Sequence, residues 1–227
     1  MTAQGSRRPA EVTLFAPPPL QQPLTLEQEH GETRLLADDR LVAQARRFDG
    51  ELSSPPTVSY DEALVAAESF DITAYRRSHV YPTCYTCGPD RTPGDGLRIF
   101  PGATCEHGIV AWPWTPTSSH VDDGGAVDER ILWAALDCQS GFAWLSVDPN
   151  LGTIVLGRMA AVVHRRPRAG EPLTVLGWTL RADGRKRHAG SAIQAANGEL
   201  TSVGTSTWIL LTPEQQQDFG AGASQGI

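Results

Sequence analysis

One acidic residue stands in the most apolar stretch of the chain, and it is the sharpest candidate for chemistry. Asp137 lies within 131–145, where most side chains are apolar. Burying a carboxylate in such a setting costs several kcal/mol unless it is hydrogen-bonded or paired. Desolvation would raise its pKa and suit it to act as a general base that activates water, or as a nucleophile. The alternative is a structural carboxylate that bonds to a strand backbone or to an arginine.

Three further residues are candidates for roles around Asp137. Gln139 follows it on an adjacent face of the predicted helix, where it would orient a water or a carbonyl oxygen or simply pack. His120 and Gly125 stand in the segment 120–127, directly before that helix. Free N–H groups at a helix N-terminus can stabilise a developing oxyanion. The alternative for this segment is a turn whose glycines only reverse the chain.

Two basic clusters, 165–168 and 185–188, contrast with an otherwise acidic chain. Arginine and lysine bind phosphate groups, arginine in a bidentate fashion. We expect Arg185, Lys186 and Arg187 to contact the phosphates of a ligand, with a solvated hairpin turn as the alternative. Trp133 is a candidate to line an apolar pocket, although most of the tryptophans are expected in the core.

The cysteines raise the question of zinc. Cys84 and Cys87 have the spacing with which two thiolates hold one zinc ion, and Cys105 with His107 would supply two more ligands. A single residue between Cys105 and His107 departs from the usual spacing of two to four. We therefore expect no metal and no cofactor, with the cysteine pair packing a turn.

Composition excludes several classes of protein. The chain has 227 residues, 40% of them hydrophobic, and 19 basic against 26 acidic residues give a net charge of −7. That balance supplies no general attraction for nucleic acid or for an anionic membrane surface. No apolar run reaches the length of roughly 20 residues that a membrane helix needs, and the first 19 residues lack the apolar core of a signal peptide. We expect a cytoplasmic protein with reduced cysteines.

The elements that would position these residues fall into two parts. We expect mobile tails at 1–19 and 213–227, and a unit at 20–78 that packs on the main domain at 79–212. The first unit should contain two or three short strands followed by a helix capped by Ser59. A turn-rich segment then leads to a strand pair at 97–100 and 109–114.

The main domain contains the clearest helix and a run of strands. Asp128 caps a helix that extends to Leu145. Four strand candidates follow, at 153–165, 173–181, 187–196 and 200–211. The sequence therefore predicts an α+β fold, in which an antiparallel sheet wraps a buried central helix.

Three segments of this domain resemble hot-dog-fold thioesterases. The run 133–138 (WAALDC) with 141–143 (GFA) resembles their central helix, in which an acidic residue follows an aliphatic run. The segment 84–97 looks like the cysteine-glycine entry that some members carry, and the hairpin 185–200 is similar to their closing strands. The resemblance covers roughly 81–211. Residues 24–78 have the same predicted order, strands with a helix, and resemble a truncated second hot-dog half.

The resemblance implies a function and a partner. It implies a thioesterase acting on a coenzyme A or acyl-carrier-protein thioester, with Asp137 as general base or nucleophile and the basic hairpin on the phosphates. It also implies a homodimer or higher homo-oligomer. The alternatives are a hydratase or dehydratase on the same scaffold, which would use His120 beside a carboxylate, and a non-catalytic acyl- or ligand-binding protein.

Overall fold

The computed structural model describes residues 8–19 and 21–217. Over these residues the chain forms ten strands and three α-helices, with a short 3-10 helix at Ser118–His120 and a final helical stretch at 213–217. The strands are β1 (Ala10–Leu14), β2 (Thr25–Glu29), β3 (Glu32–Ala37), β4 (Arg40–Arg47), β5 (Gly102–Ala103), β6 (Ile109–Trp114), β7 (Ile154–Val163), β8 (Leu173–Asp183), β9 (Lys186–Ala195) and β10 (Leu200–Leu210). The helices are α1 (Tyr60–Glu68), α2 (Ile72–Ser78) and α3 (Glu129–Val147).

All ten strands join one antiparallel sheet in the order β2-β3-β4-β1-β7-β10-β9-β8-β6-β5. Helix α3 packs on the half formed by β6 to β10. The four long strands predicted after α3 are present, but only β8, β9 and β10 pair in chain order as a meander, because β7 pairs with β10 and β1 rather than with β8. The expected α+β arrangement of an antiparallel sheet around one central helix is therefore confirmed.

Helix α3 lies unusually close to the sheet. Asp128 caps it by accepting a hydrogen bond from the backbone N–H of Arg130. Leu132 and Leu136 pack into the main core with Val175 and Ile193 of the sheet, and all four are fully buried. At Gly177 a Cβ atom would lie 2.1 Å from the backbone oxygen of Gln139. Only glycine allows the helix to approach to this distance.

Helix α1 packs on the opposite face of the sheet. Ser59 is its N-cap, as the sequence indicates, and the structure adds a capping box with Glu62. Buried Ala63 of α1 belongs to the same apolar cluster as Leu176 and Ala192, which alternate along their strands with the residues that face α3. The segment 51–58 reaches α1 by crossing this outer face. There Thr205 and Gln194 make hydrogen bonds with backbone groups of the segment.

The first strand corrects one prediction. Residues 10–14 form β1, which pairs with β4 on one side and β7 on the other, so the expectation of a mobile tail through residue 19 is wrong over this stretch. Its Glu11 is buried and anchors two arginines of the neighbouring strands. The rest of that predicted tail, 1–7, lies outside the described residues.

Two further elements differ from expectation. Residues 97–100 form no strand, because the N–H groups of Leu97 and Ile99 bond to the backbone of Tyr85 and Thr86. Strand β6 pairs with β8 and with the two-residue β5 instead. At the other end, 213–217 is helical rather than a loose tail, and Arg185 contacts its Gln215; residues 218–227 lie outside the described residues.

Among the described helices, none combines the length and the apolar character that a membrane crossing requires.

Candidate functional site

Asp137 lies on a half-buried face of α3, with one oxygen sealed inside the protein. Its Oδ1 is buried and has no hydrogen-bond partner among the described residues. At this oxygen the structure therefore shows neither the strand backbone nor the arginine of the structural alternative. Burial, followed by the nearby negative charge of Cys84, raises the pKa of Asp137 to about 7. A carboxyl with these properties can exchange a proton near neutral pH.

An aromatic and basic strip continues this face of α3. Trp133 and Trp144 lie four residues before and seven residues after Asp137, which places all three on one side of a helix with about 3.6 residues per turn. Trp133 is half-buried against the main core. The guanidinium of Arg187 lies 5.6 Å over the ring of Trp144, whose indole N–H donates to the backbone oxygen of His188 at 2.9 Å.

This contact brings the basic hairpin to the C-terminal end of the strip. Arg185, Lys186 and Arg187 form the turn between β8 and β9 and the start of β9. Arg185 also donates to the backbone oxygen of Leu210 at 3.2 Å. Of the three predicted binding residues, Arg187 is the one that the structure places against the helix face that carries Asp137.

Gln139 lies on the other side of α3. Its side chain is fully buried, and its Nε2 donates to the backbone oxygen of Phe100 at 2.8 Å. Two residues along a helix turn by about 200°, so the side chains of Asp137 and Gln139 point in nearly opposite directions. The structure does not bring them together, and Gln139 holds the helix to the loop before β5.

The backbone N–H groups of the loop before α3 already have hydrogen-bond acceptors within the protein. The N–H groups of Gly124 and Ala126 donate to the Asp122 carboxylate, and that of Gly125 donates to the Asp122 backbone oxygen. Those of residues 127 and 128 donate to the backbone oxygens of Pro167 and His120. Gly125 has a φ of +72°, which suits glycine in a tight turn. The structure thus commits each N–H from 124 to 128 to an internal acceptor.

His120 is buried at the start of this loop and does not face Asp137. Its Nδ1 accepts a hydrogen bond from the backbone N–H of Thr117 at 3.1 Å, and its ring packs 5.8 Å from that of Trp114. Burial lowers the pKa of His120, which favours the neutral ring. The histidine and carboxylate of the hydratase alternative are therefore not brought together as a pair.

The cysteine pair has a partner that sequence reasoning missed. The Sγ atoms of Cys84, Cys87 and Cys138 all lie within 4.8 Å of one another, and those of Cys84 and Cys138 are 3.7 Å apart. His79 extends the group, with its Nε2 3.5 Å from the Sγ of Cys87. Hydrogen bonds from the other two thiols lower the pKa of Cys84 to about 2. The same contact with Cys84, together with burial, raises the pKa of Cys138.

The expected second half of a zinc site lies elsewhere. Cys105 is exposed and does not belong to the thiol cluster. His107 lines a cavity of about 360 Å³ with Trp178, on the outer face of the sheet, away from Asp137. His79 stands five positions before Cys84, and this closeness in sequence was the available signal that it belongs with the cysteine pair. No sequence signal pointed to Cys138, because it lies in an ordinary helical run.

Comparison with known proteins identifies the fold. No protein-family model and no curated protein matches the sequence. The tesB protein of Mycobacterium avium subs paratuberculosis is similar over 93% of this chain and 81% of that chain, at 13% identity and a TM-score of 0.58. Zebra fish thioesterase superfamily member 2 is similar over 63% of this chain and 100% of that chain, at 16% identity and a TM-score of 0.50.

A Streptococcus mutans protein solved bound to acetyl CoA is similar over 48% of this chain and 86% of that chain, at 13% identity and a TM-score of 0.44. The two structures with the higher scores place the central helix and its wrapped sheet in a known class. The fold of this chain is the hot-dog fold of thioesterase-superfamily structures, as the sequence resemblance predicts.

Proposed function

We propose that the protein hydrolyses an acyl thioester of coenzyme A or of an acyl carrier protein. The observation that supports this most directly is the buried, unpartnered Oδ1 of Asp137 on the central helix of a hot-dog domain. An unpaired buried carboxylate is costly, and proteins retain such groups most often where they do chemistry.

Asp137 has two ways to perform the reaction. As a general base it takes a proton from water while the water oxygen attacks the thioester carbonyl carbon. As a nucleophile it attacks that carbon itself and forms an anhydride that water then cleaves. In both routes the carbon–sulfur bond breaks, the thiolate leaves and is protonated, and the acyl group departs as a carboxylic acid.

The basic hairpin is proposed to bind the phosphates of the carrier. Arg187 reaches Trp144, on the same face of α3 as Asp137, so a ligand lying along this face would meet the hairpin at one end and the carboxylate further along. Trp133 would contact the acyl part. Asp137 alone is assigned a chemical step, because the N–H groups of 124–128 already have internal acceptors.

A second copy of the chain is proposed to cover the apolar face of β1 to β4. On the α3 side of the sheet, Leu14, Ala43, Leu35 and Leu26 stand next to one another in the register of four strands, and Leu14 and Leu26 are exposed. A two-fold dimer would bury this face on both copies. Sedimentation should then show a dimer that Leu26→Lys weakens, and a wild-type monomer at all concentrations would contradict the dimer.

The main test is thiol release from a panel of acyl-coenzyme A thioesters. We expect Asp137→Asn to lower kcat by about 10²-fold or more while the protein stays folded. Asp123→Asn is the matched control, since it makes the same chemical change at an exposed loop position. A folded Asp137→Asn protein with wild-type turnover would exclude the catalytic role. A misfolded and inactive one would favour the structural alternative.

The hairpin has a separate test. Replacing Arg185, Lys186 and Arg187 by glutamine should raise KM for a full coenzyme A thioester more than it lowers kcat, because phosphate binding is mostly equal in ground and transition states. A truncated thioester without phosphates is the control substrate. An equal rise of KM for both substrates would show that the hairpin is only solvated surface.

A further inference from the structure

The thiol cluster joins three separate parts of the chain. His79 is the residue that ends α2, Cys84 and Cys87 belong to the irregular segment that follows, and Cys138 is on α3. Cys87 is buried, and the other three side chains are half-buried. No disulfide links the cysteines, which are free. Three thiols therefore converge from elements up to 54 positions apart, and the imidazole lies beside one of them, Cys87.

Two distances between neighbouring ligand atoms match the edges of a metal-centred tetrahedron. With zinc–sulfur bonds of about 2.3 Å, tetrahedral geometry places two sulfurs about 3.8 Å apart. The observed separation between the Sγ atoms of Cys84 and Cys138 is 3.7 Å. For one sulfur and one nitrogen ligand the expected edge is about 3.6 Å, and Cys87 Sγ lies 3.5 Å from His79 Nε2.

The backbone around Cys84 is arranged to support a thiolate. The backbone N–H groups of Thr86 and Cys87 help to lower the pKa of its thiol. This turn requires glycine at the next position, because a Cβ on Gly88 would lie 2.5 Å from the backbone oxygen of Cys84. The Gly88 N–H closes the turn by donating to that same oxygen at 2.8 Å. Donors aimed at a sulfur stabilise its charged form, which is the form that binds metal.

The imidazole is also held in place. The ring of His79 stacks on Tyr75 at 4.6 Å and packs against Phe142 of α3 at 5.8 Å. The ring of Tyr81 contacts it edge-on at 6.4 Å. Tyr75 in turn donates its hydroxyl to the backbone oxygen of Cys87 at 3.1 Å. Metal-binding histidines are typically oriented by such outer contacts.

We propose that Cys84, Cys87, Cys138 and His79 bind one Zn²⁺ ion in a closed, four-coordinate structural site. Three sulfurs and one imidazole nitrogen are a ligand set that selects zinc and leaves no position for substrate. On binding, the thiols that are still protonated release their protons to solvent. The proposal replaces the expectation of no zinc, which took Cys105 and His107 as the partners of the pair. It does not rest on the proposed hydrolase activity.

The site would fasten the segment 79–88 and the end of α2 to the central helix. That segment also contacts α3 through the Thr86 hydroxyl, which donates to the backbone oxygen of Ala134 at 2.9 Å. Without the metal, three neighbouring thiols would have to share this volume with at most weak S–H hydrogen bonds. Zinc would convert that poorly bonded contact into a cross-link between distant parts of the chain.

The test is the metal content of the full chain, purified from cells grown with added zinc and dialysed. We expect about one zinc per chain by elemental analysis, kept in Cys105→Ser and lost in Cys138→Ser. Cobalt substitution should give a thiolate charge-transfer band, which His79→Cys should increase by about one third as the thiolates rise from three to four. Removing the metal with a chelator should lower the melting temperature of the wild type and of Cys105→Ser.

Several outcomes would overturn the site. A metal-free wild type that binds no zinc on addition, with three freely titrating buried thiols, excludes it. A disulfide between Cys84 and Cys138 in the untreated protein would show a redox pair instead. Zinc retained in Cys138→Ser would show that the ion sits elsewhere. If Cys138→Ser does not fold, the metal content and cobalt spectrum of the wild type still decide the question.

Discussion

The two halves of the sheet are stabilised in different ways. The half formed by β6 to β10 wraps α3, and its strands supply fully buried residues such as Val175 and Ile193. The half formed by β1 to β4 has no comparable helix packed on it in the part of the chain that the structure describes. Its strands alternate apolar and charged residues and are joined by ion pairs such as Glu11–Arg46 at 2.8 Å. The residues proposed for chemistry are in the half with a central helix.

The comparison of the two halves shows that strand pairing can extend a sheet past the region that packs on the central helix. β1 pairs with the edge strand β7, and β4, β3 and β2 extend the sheet from β1 by backbone pairing. Such strands need little apolar surface of their own, but they depend on the half that has it. We expect damage to the wrapped half to unfold the protein and damage to the other half to be mild.

The largest effect is expected from removing the first elements. A chain beginning at Ser78 lacks β1 to β4 together with α1 and α2, which uncovers Leu176 and Trp178 on the outer face and leaves β7 as an open edge. It should aggregate or lose its cooperative melting transition, as scanning calorimetry would show. A chain beginning at Gly50 keeps both helices and should fold but self-associate through β7. A Ser78 chain that melts as sharply as the full protein would contradict this dependence.

A matched pair of leucines measures the difference directly. Leu136 of α3 is fully buried, whereas Leu26 of β2 is 60% exposed. Leu136→Ala should lower the free energy of unfolding by about 2 to 5 kcal/mol, because it leaves a cavity in the core. Leu26→Ala should cost less than about 1 kcal/mol. Urea denaturation gives both values, and equal costs would mean that the first half has a core of its own.

A matched pair of glutamates gives the smallest effects. Glu11, with 7% of its side chain exposed, lies between Arg46 and Arg158 and so connects β4, β1 and β7. Glu11→Ala should cost about 1 to 2 kcal/mol, since both arginines keep access to water. Glu27→Ala breaks an exposed pair with Arg34 and should cost under about 0.5 kcal/mol. If both substitutions lower the free energy of unfolding in urea by the same amount, Glu11 does not stabilise the pairing of β1 with β4 and β7.

The sequence predicted the helices and strands whose ends are marked by local signals such as N-cap residues and turns. Ser59 and Asp128 begin helices where the sequence places them, because an N-cap needs only its own first turn. The strands after α3 were found from their turns, such as 197–198. β1 was missed because its five residues follow no such signal and gain their structure from β4 and β7. Partners that are distant in sequence leave no local trace.

The candidate site divides in the same way. Asp137 was identified because an acid in an apolar helix is unusual within its own segment. His79 and Cys138 were not, because their closeness to Cys87 and Cys84 arises only when α2 and the following segment fold against α3. Gln139 shows the opposite error, because it was predicted to act with Asp137 on the ground that the two are close in sequence. Its side chain lies on a different surface of the same helix.

The outermost strand sets a limit on how copies of the protein can assemble. All five residues of β2 are exposed, and its other edge is open to backbone pairing in the described sheet. Two copies that joined their sheets there would bring the carboxylates of Glu27 and Glu29 from both chains together. Like charges facing each other across a strand pair oppose such growth. The acidic edge strand therefore favours discrete assemblies over open-ended fibres.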